Sequence, residues 1–415
     1  MSPLPLDGRR VLDLTRNVAG PYASMILGEL GADVVKIEQP GRGDDTREWG
    51  PPFWGGQGPI FLAINRNKRS ITLDLKAPEA RSVVTRLASR SDVFLESFRP
   101  GVTERLGFDY EWAQAVNPGI IYCSVTPYGD RGPLKDRPGY DPLMQAFGGI
   151  MSVTGEEGRP PVRAGISPVD MGTGMWTAMT VLAALLQRGP NGPGQRIVTS
   201  LYETTLAWMN YHLVTCWAGG EPPRHQGSGT TTIAPYQAFR TSDGYLVIAA
   251  ANDELFARLC RVLDHPSWAD DERFRRNRDR VRNRDRLCRA IEEATAGRAT
   301  EELADSLVAA GVPCSPIRDA VQVVADEQAA ALGIFQAADH PRIPGYRSVA
   351  MPFLMGGSRP PLRRLPPGLG EHNREVLREL GYDDEEVARL LRSDAAVGSG
   401  QAGEAGAGEE ATWRR

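Results

Sequence analysis

The chain has 415 residues, with 52 acidic against 48 basic side chains and a formal net charge of −4, a balance that gives no reason to expect nucleic acid or an anionic membrane as a partner. Five cysteines stand singly at Cys123, Cys216, Cys260, Cys288 and Cys314, and five histidines (His212, His225, His265, His340, His372) never approach one another at metal-ligand spacing, which argues against a disulfide framework and against a zinc or iron site. No signal-peptide pattern opens the chain and no apolar run reaches the length of a bilayer span, so the expectation is a cytoplasmic enzyme without a metal or a membrane partner.

In the first third, strand and helix patterns alternate. Residues 11–15 read as a short strand, 21–30 as a helix with Tyr22, Met25, Ile26 and Leu30 at helical spacing, and 33–38 as the next strand. Residues 70–75 alternate with period two, 78–89 are amphipathic, and 92–96 and 119–126 are two further strands. Strands separated by single helices predict a parallel sheet covered on both faces, a doubly wound, Rossmann-like α/β layer. Ligands collect at the carboxyl ends of such strands, which puts the loops after Thr15, Glu38 and Glu96 on the binding rim.

Asp170 then stands alone among apolar and glycine-rich neighbours in Gly165-Ile-Ser-Pro-Val-Asp170-Met-Gly-Thr-Gly174, directly before a small-residue helix over 171–188. One role for a carboxylate there is helix N-capping, with its charge complementing the positive end of the dipole. The other is nucleophilic catalysis by an ionised carboxylate facing an electrophilic acyl group. Residues 189–194 break the chain, a strand resumes at 195–202 and runs into a helix through about 217, and 219–232 read as a linker or lid. A hairpin with Asp243-Gly244 at its turn follows, then arginine-rich helices over 254–263 and 278–294 whose interleaved acids mark a solvated surface. The domain expectation is a large α/β domain over 1–225, a smaller α+β domain over 226–330, a return to the large domain over 331–392 and a disordered tail over 393–415.

Several blocks, in order along the chain, carry a family resemblance. They are Leu6-Asp-Gly-Arg-Arg-Val-Leu-Asp-Leu-Thr15, Ala19-Gly-Pro21, Leu30-Gly-Ala-Asp-Val-Val-Lys-Ile-Glu38, Asn65-Arg-Asn-Lys-Arg-Ser-Ile-Thr-Leu-Asp-Leu-Lys76, Glu96-Ser-Phe-Arg-Pro-Gly101, Arg137-Pro-Gly-Tyr-Asp141, Gln145-Ala-Phe-Gly-Gly149 and Leu369-Gly-Glu-His-Asn-Arg-Glu-Val-Leu377. With the surroundings of Asp170, they make the chain resemble the class III CoA-transferases, the CaiB/BaiF family that includes formyl-CoA and carnitine CoA-transferases and the α-methylacyl-CoA racemases. The resemblance implies an interlocked homodimer, acyl-CoA as substrate and no permanently bound cofactor, with a carboxylic acid as acceptor.

It also implies roles for residues. Asp170 matches the catalytic aspartate that forms an acyl-aspartyl anhydride and then an aspartyl-CoA thioester. Tetrahedral oxyanions on that path need N–H donors, for which Gly148, Gly149 and the start of the helix after Asp170 are candidates, a flexible turn being the alternative for the glycines. Asn17 and Val18 after the first strand, Ser97 and Phe98 after Glu96, and Arg105 carry over as CoA contacts. Arg69 or Lys68 are further candidates for CoA phosphate, a polar strand entry being the alternative, and Lys135 and Arg137 for CoA phosphate or pantetheine, solvation of a loop being the alternative. Formyl-CoA transferases have an arginine where this chain has Gln39, leaving Arg42 or Arg47 as substitutes. Asp141 could tune Asp170 or orient an acceptor, or serve as a turn residue after Pro138-Gly139. Trp49 and residues 53–57 could line an acyl pocket or pack on a loop.

The leading expectation is an acyl-CoA:carboxylate CoA-transferase. The racemase branch has a Gly-His-Asp motif whose histidine moves the α-proton, where this chain has Gly139-Tyr140-Asp141, and tyrosine, with an ordinary pKa near 10, is a poor base for that step. A non-catalytic CoA-binding scaffold is the third alternative, against which the intact Asp170 surroundings stand. No run of consecutive glycines occurs between Gly219 and Thr232 such as formyl-CoA transferases carry, which argues against oxalate as acceptor.

Overall fold

The computed structural model describes residues 3–221 and 223–393, so the tail expected to be disordered lies, from residue 394 on, outside the described residues. The chain divides into two compact units, one made of residues up to Gly148, Gly165–Asn210 and the chain from Gly333 onward, the other of Gly149–Ala164 and Tyr211–Leu332.

The first unit is built on six parallel strands: β1 (Arg10–Leu14), β2 (Asp33–Glu38), β3 (Lys68–Thr72), β4 (Val93–Glu96), β5 (Ile121–Thr126) and β6 (Arg196–Ser200). Their order is β3-β2-β1-β4-β5-β6, so the sheet winds outward in both directions from β1 and β4 and has its switch point between them. Helices α1 (Ala19–Glu29), α2 (Pro78–Ala88), α3 (Val102–Leu106), α4 (Asp141–Phe147), α5 (Pro168–Arg188) and α6 (Leu201–Trp208) follow the strands. Side chains alternate across the pleat: Leu12, Phe94 and Tyr122 enter one core with Val83, Val84 and Leu87 of α2, while Val11, Leu95 and Ile121 enter the other with Leu27 of α1 and Val181 of α5. Both faces are therefore covered, as the near-continuous apolar strands require.

The second unit carries a three-stranded antiparallel sheet, β7 (Tyr236–Arg240), β8 (Tyr245–Ala249) and β9 (Cys314–Pro316), packed with α7 (Asp253–Val262), α8 (Arg284–Thr295) and α9 (Thr300–Ala309). The helix expected over 278–294 is broken at Asn283, whose side chain bonds the carbonyls of Asp279 and Arg273 and so competes with the backbone ladder.

From Gly333 the chain returns to the first unit as the hairpin β10 (Phe335–Ala337) and β11 (Arg347–Val349), then α10 (Asn373–Glu379) and α11 (Asp384–Arg392). Val376, Leu377, Val387 and Leu390 of these helices join the α2-side core. The third strand begins two residues before the alternating stretch that announced it, because Lys68 and Arg69 are buried within it. Lys68 Nζ donates to the carbonyl of Pro21 and to Asn65 Oδ1, both at 2.8 Å, and lies 3.3 Å from Asp13 Oδ2. Arg69 pairs with Asp33, Glu375 and Glu379, the last two lying 306 and 310 residues further along the chain. A local period could not announce partners that distant.

Helix α5, 21 residues long with a mean hydropathy of 1.3 over 18 of them, has the length and composition to cross a bilayer, which corrects the expectation that no run does. In this fold it packs against α1, β5 and β6 through Ala178, Val181 and Ala184.

Replacing Lys68 with methionine keeps the bulk but leaves the wholly buried Asp13 short of a counter-charge. Lys68→Met should lower the unfolding free energy by roughly 3–5 kcal/mol in a urea titration; a variant as stable as the parent would show that the pair contributes nothing.

Candidate active site

The geometry starts at the N-terminus of α5. Pro168 occupies its first turn, Ser167 precedes it without capping it, and Asp170 makes no capping bond either. The N–H groups of Val169 and Asp170 donate instead to Oδ2 of Asp141, at 2.8 and 3.0 Å. Asp141 opens α4, is 2% exposed, and receives at its other oxygen the side-chain N–H of Gln145, one turn along, at 2.5 Å. Capping of α5 is thus delegated to a carboxylate from another helix, and the side chain of Asp170 is released from that duty.

Burial, with the Asp141 charge added to it, pushes the Asp170 carboxyl up to about 7, and no hydrogen bond from the described residues offsets either effect. Two glycines let α5 approach its neighbours. A Cβ on Gly172 would sit 2.6 Å from the Trp208 ring of α6, and one on Gly174 would sit 2.6 Å from the Ala19 carbonyl at the start of α1.

Below the β1–α1 loop lies a buried charge network. Asp13 accepts from the Thr15 backbone, the hydroxyls of Thr15 and Ser24, and Lys68. Lys36 Nζ donates to the Thr15 carbonyl at 2.7 Å and pairs with Asp44 at 2.9 Å, and Asp44 in turn receives the backbone N–H of Asn17 at 3.3 Å. Asn17 is held there with φ +66°, a conformation that costs free energy in a residue with a Cβ. The Arg16 N–H bonds Ser97 Oγ at 3.0 Å and so ties the β1 loop to the β4 loop.

These elements surround a cleft at the carboxyl ends of β1, β4 and β5, at the switch point of the sheet. Arg16, Asn17, Val18, Ala19 and Gly20 line it from the β1 side, Ser97 and Thr126 from β4 and β5, and Trp49, Tyr140 and Asp170 complete it. The N–H groups of Ala19 and Gly20, in the first turn of α1, have no partner among the described residues and that helix has no side-chain cap. A second cleft of about 340 Å³ lies over the ends of β1, β2 and β3, lined by Arg16, Gln39, Lys76, Phe98, Val102 and Leu106. The Arg16 guanidinium stands 5.7 Å from the Phe98 ring and belongs to both clefts.

The sequence model of CoA-transferase family III matches residues 6–373. The chain belongs to that family. It is 39% identical over 394 residues to the human succinyl-CoA:glutarate CoA-transferase, covering 93% of this chain and 89% of the relative, and 38% identical to the succinate–glutarate CoA-transferase of Agrobacterium fabrum, covering 91% and 96%. Its fold superposes on the crystal structure of a CaiB/BaiF family protein from Brucella suis with a TM-score of 0.84 at 38% identity, covering 91% of this chain and all of that one. It is a CoA-transferase, and CoA thioesters are the substrates of that class.

Of the positions expected at the site, Asn17, Val18, Ser97 and Asp170 line the first cleft and Phe98 the second. Arg105 is exposed on α3, which contributes Val102 and Leu106 to the second cleft, while Lys135 and Arg137 are exposed on the loop before α4 and line neither. Four expectations need correction. Arg69 and Lys68 sit in the first half of β3, away from the carboxyl rim, and their charges are consumed by buried carboxylates. Arg47 grips Glu38 with two nitrogens and cannot stand in for the arginine missing at Gln39. Gly148 ends α4 with its N–H bonded to the Met144 carbonyl at 2.8 Å, so it is no oxyanion donor. The start of α5 is likewise occupied: the N–H groups of Val169 and Asp170 by Asp141, and that of Met171 by the Ser167 carbonyl at 3.0 Å. Gly149, with φ +95°, opens the Gly149–Ala164 stretch of the second unit. Arg16, Ala19, Gly20 and Lys76 were passed over, although the strand–loop–helix pattern had placed the loop after Thr15 on the rim. Among the described residues, no cluster of three or more His, Cys, Asp or Glu could hold a metal ion.

A carboxyl whose folded pKa of about 7 lies above its ordinary value near 3.8 binds a proton more tightly in the folded state, so its ionisation opposes folding as pH rises between the two values. Asp170→Asn lacks that slope. Its stability advantage over the parent should grow from about pH 4 to about pH 7, reach on the order of 2 kcal/mol after allowance for the part water reaches, and stay level above. Denaturation at pH 4, 6 and 8 measures it, and a margin independent of pH would contradict the raised ionisation.

Proposed function

We propose that this chain is an acyl-CoA:carboxylate CoA-transferase in which Asp170 is the covalent nucleophile. One observation carries the reading: a carboxylate freed from capping by Asp141 lines a cleft at the switch point of the sheet, and Ala19 and Gly20, whose N–H groups have no partner among the described residues, line the same cleft. The Asp170 oxygen attacks the thioester carbonyl, the C–S bond breaks, and an acyl-aspartyl anhydride and CoA thiolate result. The thiolate then attacks the aspartyl carbonyl, expels the donor acid as its carboxylate, and leaves an aspartyl-CoA thioester. An acceptor carboxylate enters by the reverse of these steps. The N–H groups of Ala19 and Gly20, with the α1 dipole behind them, are the donors we assign to the oxyanions.

Arg16, Lys76 and Phe98 line the second cleft and are assigned to the CoA nucleotide, with Phe98 offering a face for adenine and the cations meeting phosphate. Asn17, Val18 and Ser97 are assigned to the thioester end of CoA in the first cleft. The acceptor class is a short dicarboxylic acid, because the relatives named above are succinyl-CoA:glutarate and succinate–glutarate CoA-transferases. A homodimer fits Met171, Met175, Trp176 and Met179, which expose an apolar stripe along α5, and free thiols at all five cysteines fit a reducing, cytoplasmic compartment.

The test is a matrix of acyl-CoA donors against free acids, with CoA exchange read by mass spectrometry. Succinyl-CoA with glutarate should exchange, and an enzyme that exchanges none of the dicarboxylates while moving the α-proton of a 2-methylacyl-CoA would overturn the reading. Asp170→Ala should reduce transfer roughly a thousandfold or more while leaving the fold intact. In the parent, kcat/KM for the donor should fall about tenfold per pH unit below about pH 7, where Asp170 takes up its proton.

A further inference from the structure

The interaction that frees Asp170 is itself supported from one side. Asp141 is buried, and its two oxygens face different partners: Oδ2 takes the N–H groups of Val169 and Asp170, and Oδ1 takes the side-chain N–H of Gln145 at 2.5 Å. Gln145 is fully buried and sits one helical turn after Asp141 on α4, so the two side chains are neighbours on one face of that helix. We propose that Gln145 is a positioning residue for the transfer reaction, fixing the Asp141 carboxylate so that it caps α5 and holds its charge against Asp170. This rests on Asp170 being the nucleophile.

The physical argument concerns what an unsupported carboxylate does. A buried oxygen deprived of its donor takes up a proton or turns toward another partner, because leaving it unbonded costs a full desolvation penalty. Either outcome withdraws negative charge from Asp170 and loosens the first turn of α5. Among the described residues, Asp141 is the charged group that acts on the Asp170 carboxyl. Other ionisable groups in the same cleft or on elements packed against α5 include Arg16 and Tyr140 in the cleft, Tyr22 of α1 against Gly174, and Glu203 of α6, which is bonded to Ser200. Among the described residues none of these four bonds Asp141, so the Gln145 link acts on the charge that faces Asp170.

The experiment measures kcat/KM against pH for Gln145→Met, Asp141→Asn and the double variant, using the best donor and acceptor found for the parent. Gln145→Met keeps the size of the side chain and removes the donor. It should lower kcat at least tenfold with KM for the acyl-CoA changed less than threefold, and should move the acid limb to lower pH by roughly one unit, as expected when a like charge is removed beside a carboxyl. Asp141→Asn should move the limb in the same direction, and the double variant should move it no further, because both changes act through one charge. Should Gln145→Met fail to fold, Gln145→Asn withdraws the amide by one carbon–carbon bond and should give the same direction with a smaller shift. A lowered kcat with the acid limb unmoved would reduce Gln145 to packing and overturn the proposal, as would a shift that adds to that of Asp141→Asn. Asp170→Ala separates the two ideas: if it retains transfer, the nucleophile assignment has failed, and if it is inactive while the Gln145 variants keep the parental limb, only the positioning role has failed.

Discussion

The site depends on the bond between the Asp141 carboxylate and the first turn of α5. Two backbone N–H groups that an isolated helix would leave unpaired are satisfied by a side chain from α4, so the position where a capping residue would stand does not have to be given to Asp170. The same carboxylate adds its charge to the effect of burial and raises the proton affinity of Asp170. One contact therefore satisfies the first turn of α5 and adds to the burial that raises the pH at which Asp170 ionises. A carboxylate with raised proton affinity is also more basic, and a more basic oxygen is a stronger attacking group once it is charged.

The opposite wall of the cleft is held by charge of another kind. Asp13, Lys36, Asp44 and Lys68 lie wholly or almost wholly buried beneath the β1–α1 loop, and their bonds run to the Thr15 carbonyl, the Pro21 carbonyl and the Asn17 N–H. Burying four charges costs more in desolvation than an apolar core would, and one use of such a network is to specify the arrangement of the groups above it. Here the arrangement includes a left-handed Asn17 and an α1 N-terminus left open to the cleft. Gly174 permits the two walls to meet, since any side chain there would collide with the Ala19 carbonyl.

Much of the fold was legible in the sequence. The strand over 33–38 and the helix beginning at Pro78 were read from local period and proline placement, and they appear with those bounds or within a residue of them. The loops after Thr15 and Glu96 were placed on the rim from topology alone. What escaped were features decided by partners far away in the chain. Lys68 and Arg69 look like a polar strand entry until Asp13, Glu375 and Glu379 are seen around them. Gly148 looks like a flexible donor until its N–H is found closing α4. The capping role considered for Asp170 belongs to a residue 29 positions earlier, and no spacing rule links the two.

The central claim is that an oxygen of Asp170 passes into the released acid and is replaced by one from the acceptor. In the proposed sequence the donor acid leaves with the bridging oxygen of the first anhydride, and Asp170 keeps the bridging oxygen of the second, which came from the acceptor. A single turnover with an acceptor acid carrying ¹⁸O in both carboxyl oxygens, followed by proteolysis and mass spectrometry, tests this directly. The account predicts one ¹⁸O on the peptide containing Asp170, and label in the donor acid released by the next turnover. Complete transfer of CoA with no label at Asp170 would contradict it and would mean that the acceptor attacks the acyl-CoA without an enzyme-bound anhydride.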